Sequence, residues 1–487
     1  MDRRTLVEHL YSWARQQPDK TAIVHNNTPH SYADFVRAIA VTRDRLAGSA
    51  GPPGSTAILL ASDLFQSWCA TLALQSLGLR TISVRSLDQA AVLRVDNCAC
   101  VVASAADGSA DGVGQYEWPG AKVVALPSDL YLGIRSGDLP APPEGSPRFA
   151  NHILYTSGTT GSYKKLVLDC ASDEDRFATL ARHYEITHGS VFHASRFGLW
   201  TAVGYAMAAA AWLVGGSVIT DQRTDYLDGL FRHGATCVFL LPPDLSALLD
   251  SRAADAARLA GVEVLTAGGF LPPNVAEEFS HRVADVTVAY GSTECLSVMK
   301  RRIATREDAI WLTPYVDRAV EIVDDTGQIC AVGQEGEMRI RTKAFDSHAY
   351  LDDGETSARV FRDGCFYPGD LAVRRADGRI RVLGRVADVL NFQGQKIAAG
   401  PIELAIQQRL GVEEVCLFSG LTDDGKERLA IVIQCPNVVP STELDAITRE
   451  FPSFGEVRTL VLRQFPRTTT GMRKIDRAAL RRIAMRD

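Results

Sequence analysis

Tyr155-Thr156-Ser157-Gly158-Thr159-Thr160-Gly161-Ser162-Tyr163-Lys164-Lys165 is a run of small and hydroxylated residues closed by two lysines, set directly behind His152-Ile153-Leu154. A chain that wraps a polyphosphate needs this composition. Glycines at 158 and 161 let the backbone approach closely and turn through dihedrals closed to other residues. Thr156, Ser157, Thr159 and Thr160 offer hydroxyl donors, and Lys164 adds positive charge. The glycine spacing is not that of a Walker loop, in which Gly-Lys-Ser/Thr opens a helix that receives the phosphates. Taken alone, the run also reads as a Gly/Thr surface loop.

Four further stretches follow in order: Ala289-Tyr290-Gly291-Ser292-Thr293-Glu294, Tyr367-Pro368-Gly369-Asp370, Gly384-Arg385-Val386-Ala387-Asp388, and Thr470-Gly471-Met472-Arg473-Lys474. With the loop they resemble the motif series of the acyl-adenylate-forming superfamily, which includes acyl-CoA synthetases, aryl-acid and amino-acid adenylation domains and firefly luciferase. The resemblance runs from Pro18-Asp19-Lys20-Thr21-Ala22-Ile23 to the last thirty residues.

The resemblance implies a role for each stretch. Thr156, Ser157, Gly158, Thr159, Thr160, Gly161 and Lys164 cradle the β and γ phosphates of ATP. Glu294 is the candidate Mg2+ ligand, since a hard cation takes carboxylate oxygen, and Thr293 is similar to the residue that contacts the α-phosphate. Tyr290 and Gly291 lie against adenine, with Gly268 and Gly269 admitting the base edge. Asp370 takes the ribose hydroxyls and Arg385 joins it. Lys474 is placed between the substrate carboxylate and the α-phosphorus, where an ammonium offsets the repulsion of two anions. Asp388 sits at the hinge about which a small domain alternates between two poses. Gly394 and Lys396 resemble the loop presented to a thiol, that of CoA or of a carrier protein's phosphopantetheine.

This chain departs from the common pattern in places. Tyr163-Lys164-Lys165 stands where proline, lysine and glycine are usual. Thr81-Ile82-Ser83-Val84-Arg85 replaces a proline-rich turn, and Met472-Arg473 separates Gly471 from Lys474, leaving Arg473 as the other candidate for the catalytic position. In the acid pocket, expected around His193, Arg196, Phe197 and Trp200, no Asp occurs between 176 and 220. The carboxylate that amino-acid-activating relatives use is absent, so the resemblance favours an aryl or small carboxylic acid. No Asp/Gly-x-x-Ser-Leu carrier module is seen at either end, so a separate thiol is expected: CoA or a free-standing acyl carrier protein, with an amine or oxygen acceptor, as in some relatives, the other options.

The 487 residues exceed the size at which one core stops growing, so several domains are expected. At 46% hydrophobic and 23% charged, the composition excludes a mainly disordered or fibrous chain. A formal charge of −6 speaks against a nucleic-acid or anionic-membrane binder. The nine Arg or Lys against two acidic residues in 457–487 read as a solvated helix face plus one catalytic lysine. Ten scattered cysteines form no zinc spacing and fit reduced thiols in a cytoplasm. No secretory signal is seen, because Glu8, Arg15 and Asp19 interrupt the N-terminal region. Phe197–Thr220 lacks charge, but Gly215-Gly216 divides it into a buried helix, about Leu199–Leu213, and a strand, Ser217–Thr220, rather than a membrane span.

Helical patterns at Thr5–Gln16, Ser31–Leu46, Leu64–Gly78, Pro243–Ala254 and Pro272–Arg282 alternate with strand-like runs at Thr21–Val24, Thr56–Leu60, Cys100–Ala103, Lys122–Ala125, Cys237–Leu241 and Val262–Leu265. The expected fold is α/β. It comprises a large N-terminal domain (1–387) of layered, mostly parallel sheets with a small β-rich subdomain from about 310, then a mobile α+β C-terminal domain (388–487). A monomer or homodimer is expected. Against the acid–thiol ligase stand two other readings, a phosphotransferase releasing ADP and a nucleotide binder with a decayed site.

Overall fold

The computed structural model describes residues 4–60, 63–104, 118–135, 137–143, 150–157, 163–194, 197–220, 232–251, 261–282, 285–392, 395–412, 414–421, 427–436, 439–449, 457–467 and 475–485. Two layered α/β sheets dominate it. One has nine strands in the order Thr313–Pro314, Leu296–Arg302, Val286–Ser292, Glu263–Thr266, Cys237–Leu240, Val191–His193, Ser217–Thr220, Thr21–His25, Thr28–Ser31. The five pairings in its middle are parallel, and antiparallel hairpins close both edges. The other has six strands, Lys122–Leu126, Cys98–Ser104, Thr56–Leu60, Arg80–Val84, Asn151–Ser157 and Tyr163–Asp169, parallel except for the last pair. Strands covered on both faces are near-continuous apolar runs, as in Thr56-Ala57-Ile58-Leu59-Leu60, all buried.

Between strand Thr21–His25 and the first long helix the chain makes a full hairpin through Asn26-Asn27, with a second strand, Thr28–Ser31, not foreseen in the sequence. Both asparagines take positive φ, 47° and 66°, the geometry a two-residue hairpin loop demands. Helix Leu6–Gln16 opens with a capping box, Thr5 accepting from the Glu8 N–H and the Glu8 carboxylate from the Thr5 N–H. Helix Tyr32–Ala47 repeats the device with Ser31 and Asp34.

The uncharged segment is buried, and no helix among the described residues is long and apolar enough to cross a membrane. Its helix starts later than expected. A π-helical turn, Val203–Met207, precedes an α-helix, Ala208–Leu213. Gly204 sets this geometry: a Cβ there would lie 2.2 Å from the Gly198 carbonyl oxygen and 2.3 Å from that of Phe197. The small alanines let the helix sit deep in the core beside Trp68 and Trp212, whose rings meet edge to face at 4.7 Å.

From 320 the chain forms a six-stranded antiparallel sheet, including Val320–Val323, Glu335–Arg341, Asp370–Arg374 and Ile380–Arg385. Beyond it come a hairpin, Val389–Phe392 with Gln395–Ala398, and a three-stranded sheet, Glu414–Leu421, Glu427–Gln434 and Val457–Leu462. This last sheet has apolar clusters on both faces, one with helix Ala399–Leu410 and one with helix Arg477–Ala484. Helix Ala399–Leu410 begins two residues before Pro401, which therefore occupies its third position.

Candidate active site

The Gly/Thr run lies on a hairpin. Strand Asn151–Ser157 pairs with Tyr163–Asp169 so that Thr156 faces Lys164 across the ladder. Directly paired residues project to the same side of a sheet. Gly158, Thr159, Thr160 and Gly161 lie outside the described residues, as does the Ser157 side chain. The two lysines separate in role. Lys165 is buried and binds the Asp352 carboxylate at 2.8 Å and the Arg94 carbonyl at 3.0 Å. Lys164 sends its ammonium to 5.0 Å from the centre of the Tyr350 ring, a cation–π contact.

Tyr350 joins this hairpin to the second motif. Its hydroxyl donates to Glu294 Oε1 at 2.6 Å. Burial and the Glu294 charge both push the phenol's pKa up, so it stays a donor. Glu294 is 8% exposed and has no ion-pair partner among the described residues. A carboxylate this buried without a cation beside it suits a hard metal ion. Nothing in the sequence singled out Tyr350, an aromatic residue in a turn-rich stretch without periodicity.

Glu294 and Thr293 occupy the turn between strands Val286–Ser292 and Leu296–Arg302. Gly291 is required at its entry, because a Cβ there would lie 2.1 Å from the Leu296 carbonyl oxygen. Gly291→Ala is expected to cost roughly 1–3 kcal/mol of stability, the range for forcing atoms into a filled site. A lowered denaturant midpoint at constant slope checks this.

Tyr290, Asp370 and Arg385 form a second connected set. Asp370 pairs with Arg385 across the ladder of strands Asp370–Arg374 and Ile380–Arg385. Arg385 Nε lies 3.1 Å from Asp370 Oδ1, and the Tyr290 hydroxyl donates to Asp370 Oδ2. Arg385 Nη1 also reaches the Pro368 carbonyl at 2.5 Å. Burial first, then the charge of Asp370 and, more weakly, of Glu294, raises the Tyr290 pKa, while Arg385 opposes. The charges of both sets therefore act on one phenol.

Of the residues expected around the acid, His193 is buried in strand Val191–His193 and Phe197 meets Phe239 edge to face at 5.3 Å. Trp200 carries the Arg85 guanidinium 5.9 Å from its ring. Arg196 lies outside the described residues. Gly268 takes a positive φ of 82°, and a Cβ at Gly269 would lie 3.6 Å from Pro242 Cγ, ordinary contact. His152, read in the sequence only as part of the run before the Gly/Thr loop, ties the Leu199 segment to the hairpin that carries that loop. Its Nε2 donates to the Leu199 carbonyl at 2.8 Å, Thr81 Oγ1 donates to its Nδ1 at 2.9 Å, and its ring stacks on Tyr205 at 3.9 Å.

Full burial lowers the His152 pKa to about 4. The unfolded chain takes up that proton below its ordinary 6.5, and the folded chain only near 4. This contribution to stability is therefore complete above pH 6.5 and is lost as pH falls toward 4, up to about 3 kcal/mol. Chemical denaturation at pH 7 and pH 5 should show the loss, and His152→Gln should show less of it.

In the C-terminal part, Asp388 lies 3.2 Å from Arg477 Nε, and Arg477 Nη2 lies 2.8 Å from Glu403 Oε1. Lys396 stands opposite Asn391 in its hairpin. Gly394, Arg473 and Lys474 lie outside the described residues.

Residues 10–345 match the family model described as AMP-binding enzyme. The chain belongs to the AMP-binding enzyme family. Among its relatives is 4-chlorobenzoate–CoA ligase of Pseudomonas sp. (strain CBS-3), 30% identical over 350 residues, with 68% of this chain and 65% of that protein covered. The AMP-binding enzyme thus spans just under two thirds of that relative's length. A feruloyl-CoA synthase of Amycolatopsis sp. is 25% identical over 466 residues, covering 87% of this chain and 88% of the other. Among solved structures, o-succinylbenzoate CoA synthetase of Bacillus subtilis, in complex with ATP and a magnesium ion, has a TM-score of 0.80 at 19% identity, covering 97% of this chain and 99% of that one. The α/β fold expected from the sequence is the fold these proteins share.

Proposed function

We propose that this AMP-binding enzyme uses ATP to convert a carboxylic acid, an aryl or small acid, into an acyl-adenylate with release of pyrophosphate. The acyl group then passes to a thiol, that of CoA or of the phosphopantetheine on a free-standing carrier protein. One observation carries the reading: the Lys164 ammonium lies over the Tyr350 ring whose hydroxyl donates to Glu294, Tyr290 and Arg385 converge on Asp370, and Tyr290 and Glu294 stand on the same strand end and turn.

Activation is mainly positioning and charge stabilisation, because two anions must meet with a carboxylate oxygen in line with the α-phosphorus. Asp370 accepts the ribose hydroxyls, oriented by Arg385 and the Tyr290 hydroxyl. Thr156, Ser157, Gly158, Thr159, Thr160, Gly161 and Lys164 hold the β and γ phosphates, and Thr293 the α-phosphate. Glu294 holds Mg2+, which when bound neutralises phosphate charge. Tyr290 and Gly291, with Gly268 and Gly269, border the adenine, and His193, Arg196, Phe197 and Trp200 border the acid. Lys474 bridges the substrate carboxylate and the α-phosphate. Asp388 serves as the hinge between a domain of residues 1–387 and one of 388–487. The second brings Lys474 for activation, then Gly394 and Lys396 for thiol transfer.

The aryl preference draws support from relatives whose names specify 4-chlorobenzoate and ferulate. Pyrophosphate exchange across aryl, short aliphatic, dicarboxylic and amino acids tests it. The expected result is exchange with an aryl or small acid and formation of AMP. ADP as product, or nucleotide binding without exchange for any acid, overturns it.

A further inference from the structure

Glu294 is held from outside its own turn by one short segment, residues 343–350. The Ser347 N–H donates to the Glu294 carbonyl at 3.0 Å and the Tyr350 hydroxyl to its carboxylate at 2.6 Å. The Tyr350 ring also carries the Lys164 ammonium. Whatever fixes this segment therefore fixes the carboxylate and the lysine together.

Two buried guanidiniums hold it. The Arg318 side chain, 1% exposed, forks onto the wholly buried Asp346 carboxylate through Nη1 at 2.5 Å and Nη2 at 3.0 Å. The same Nη2 donates to the carbonyl of Cys295, the residue after Glu294, at 3.0 Å. Asp346 Oδ2 also accepts the Lys343 N–H at 2.8 Å, closing the turn. Arg176, paired with Asp173 at 2.7 Å, donates Nε and Nη2 to the Phe345 carbonyl at 3.2 and 3.1 Å. Its Nη1 donates to the Asp169 carbonyl at 3.0 Å, at the end of the phosphate hairpin.

On its outer side the segment borders an open cleft of about 340 Å³, lined by Val167, Asp169, Arg176, Asp346, Ser347 and Leu351 among others. Burying two ion pairs carries a desolvation cost that well-packed apolar residues would avoid. A directional role accounts for keeping them.

We propose that Arg318 and Arg176 are positioning residues that clamp segment 343–350, so that Glu294 meets the metal and Lys164 the phosphates in one fixed geometry. Arg318 dominates for Glu294: its Nη2 and the Ser347 N–H hold the two successive carbonyls of Glu294 and Cys295. The inference rests on reading Glu294 as the magnesium ligand.

The test is ATP affinity by calorimetry on the full chain, in EDTA and in Mg2+, with AMP affinity measured alongside. The variants are Arg318→Lys, Arg176→Lys, and Arg318→Met combined with Asp346→Leu, an apolar pair that leaves no unpaired buried charge. Magnesium should tighten ATP binding by the wild type. Each variant should lose about 10-fold of that tightening, the lower end for groups that orient a metal ligand. AMP, whose ribose faces Asp370 and Arg385, should bind with unchanged affinity. Full magnesium tightening in the folded double variant overturns the clamp alone. No tightening in the wild type overturns the reading of Glu294, and the clamp with it.

Discussion

Replacing Lys474 with alanine is expected to lower acid-dependent pyrophosphate exchange by about 10²–10³-fold, the cost of removing one preorganised group from a developing oxyanion. Transfer from a supplied acyl-adenylate to thiol should remain largely intact, because that step no longer brings two anions together. Ile475 bridges to Arg467, and Asp476 caps helix Arg477–Ala484 through the Ala479 N–H, with the Arg477 guanidinium reaching Asp388. The lysine thus adjoins in sequence a segment tied to Asp388, the proposed hinge. A bulky substitution at Gly394 should do the reverse, sparing exchange and impairing thiol transfer. Rates of both half-reactions in both variants check the alternation, and equal loss of both in each would sink it. The same assay on Arg473→Ala decides between the two basic residues.

Asp370→Ala is expected to weaken ATP binding by about 10–100-fold. A hydrogen bond to a charged group is worth about 1.5–3 kcal/mol, and removing the carboxylate leaves the Tyr290 hydroxyl without its acceptor and Arg385 without its ion pair. Pyrophosphate exchange at saturating ATP should suffer less than the ATP affinity, since the ribose contact is made in ground state and transition state alike. Asp370→Asn should fall between, keeping an acceptor and losing the charge. An unchanged ATP affinity in the alanine variant would remove Asp370 from the nucleotide site.

Much of the fold was legible because its elements announce themselves locally. Thr5 with Glu8 and Ser31 with Asp34 are capping boxes four residues long, and Leu6–Gln16 and Tyr32–Ala47 begin where they say. Thr56–Leu60 is an unbroken apolar run with the limits expected of it. The π-helical turn at Val203–Met207 could not be read the same way. It depends on how closely Gly204 approaches the carbonyls of Phe197 and Gly198, a distance set by packing. Strand Thr28–Ser31 was hidden for a related reason: Thr-Pro-His-Ser has no alternation, and only pairing with Thr21–His25 makes it a strand.

The candidate site divides likewise. Lys164, Glu294, Asp370 and Arg385 stood out because short motifs must carry charge and glycine at fixed offsets. Tyr350, His152 and Arg318 did not, since each acts on a residue 47 to 186 positions or 23 positions away through a single hydrogen bond or ring contact. Lys165 shows the limit from the other side: adjacent to Lys164 and chemically identical, it is buried against Asp352 and Arg94 instead. Residue chemistry and spacing along the chain determined the family, the α/β class and the list of charged groups, because periodicity, caps and motifs are local properties. Which lysine faces Tyr350, what steadies Glu294 and how the pocket is tied to the hairpin were decided by tertiary packing alone, because hydrogen bonds and burial depend on distances in space that linear order does not encode.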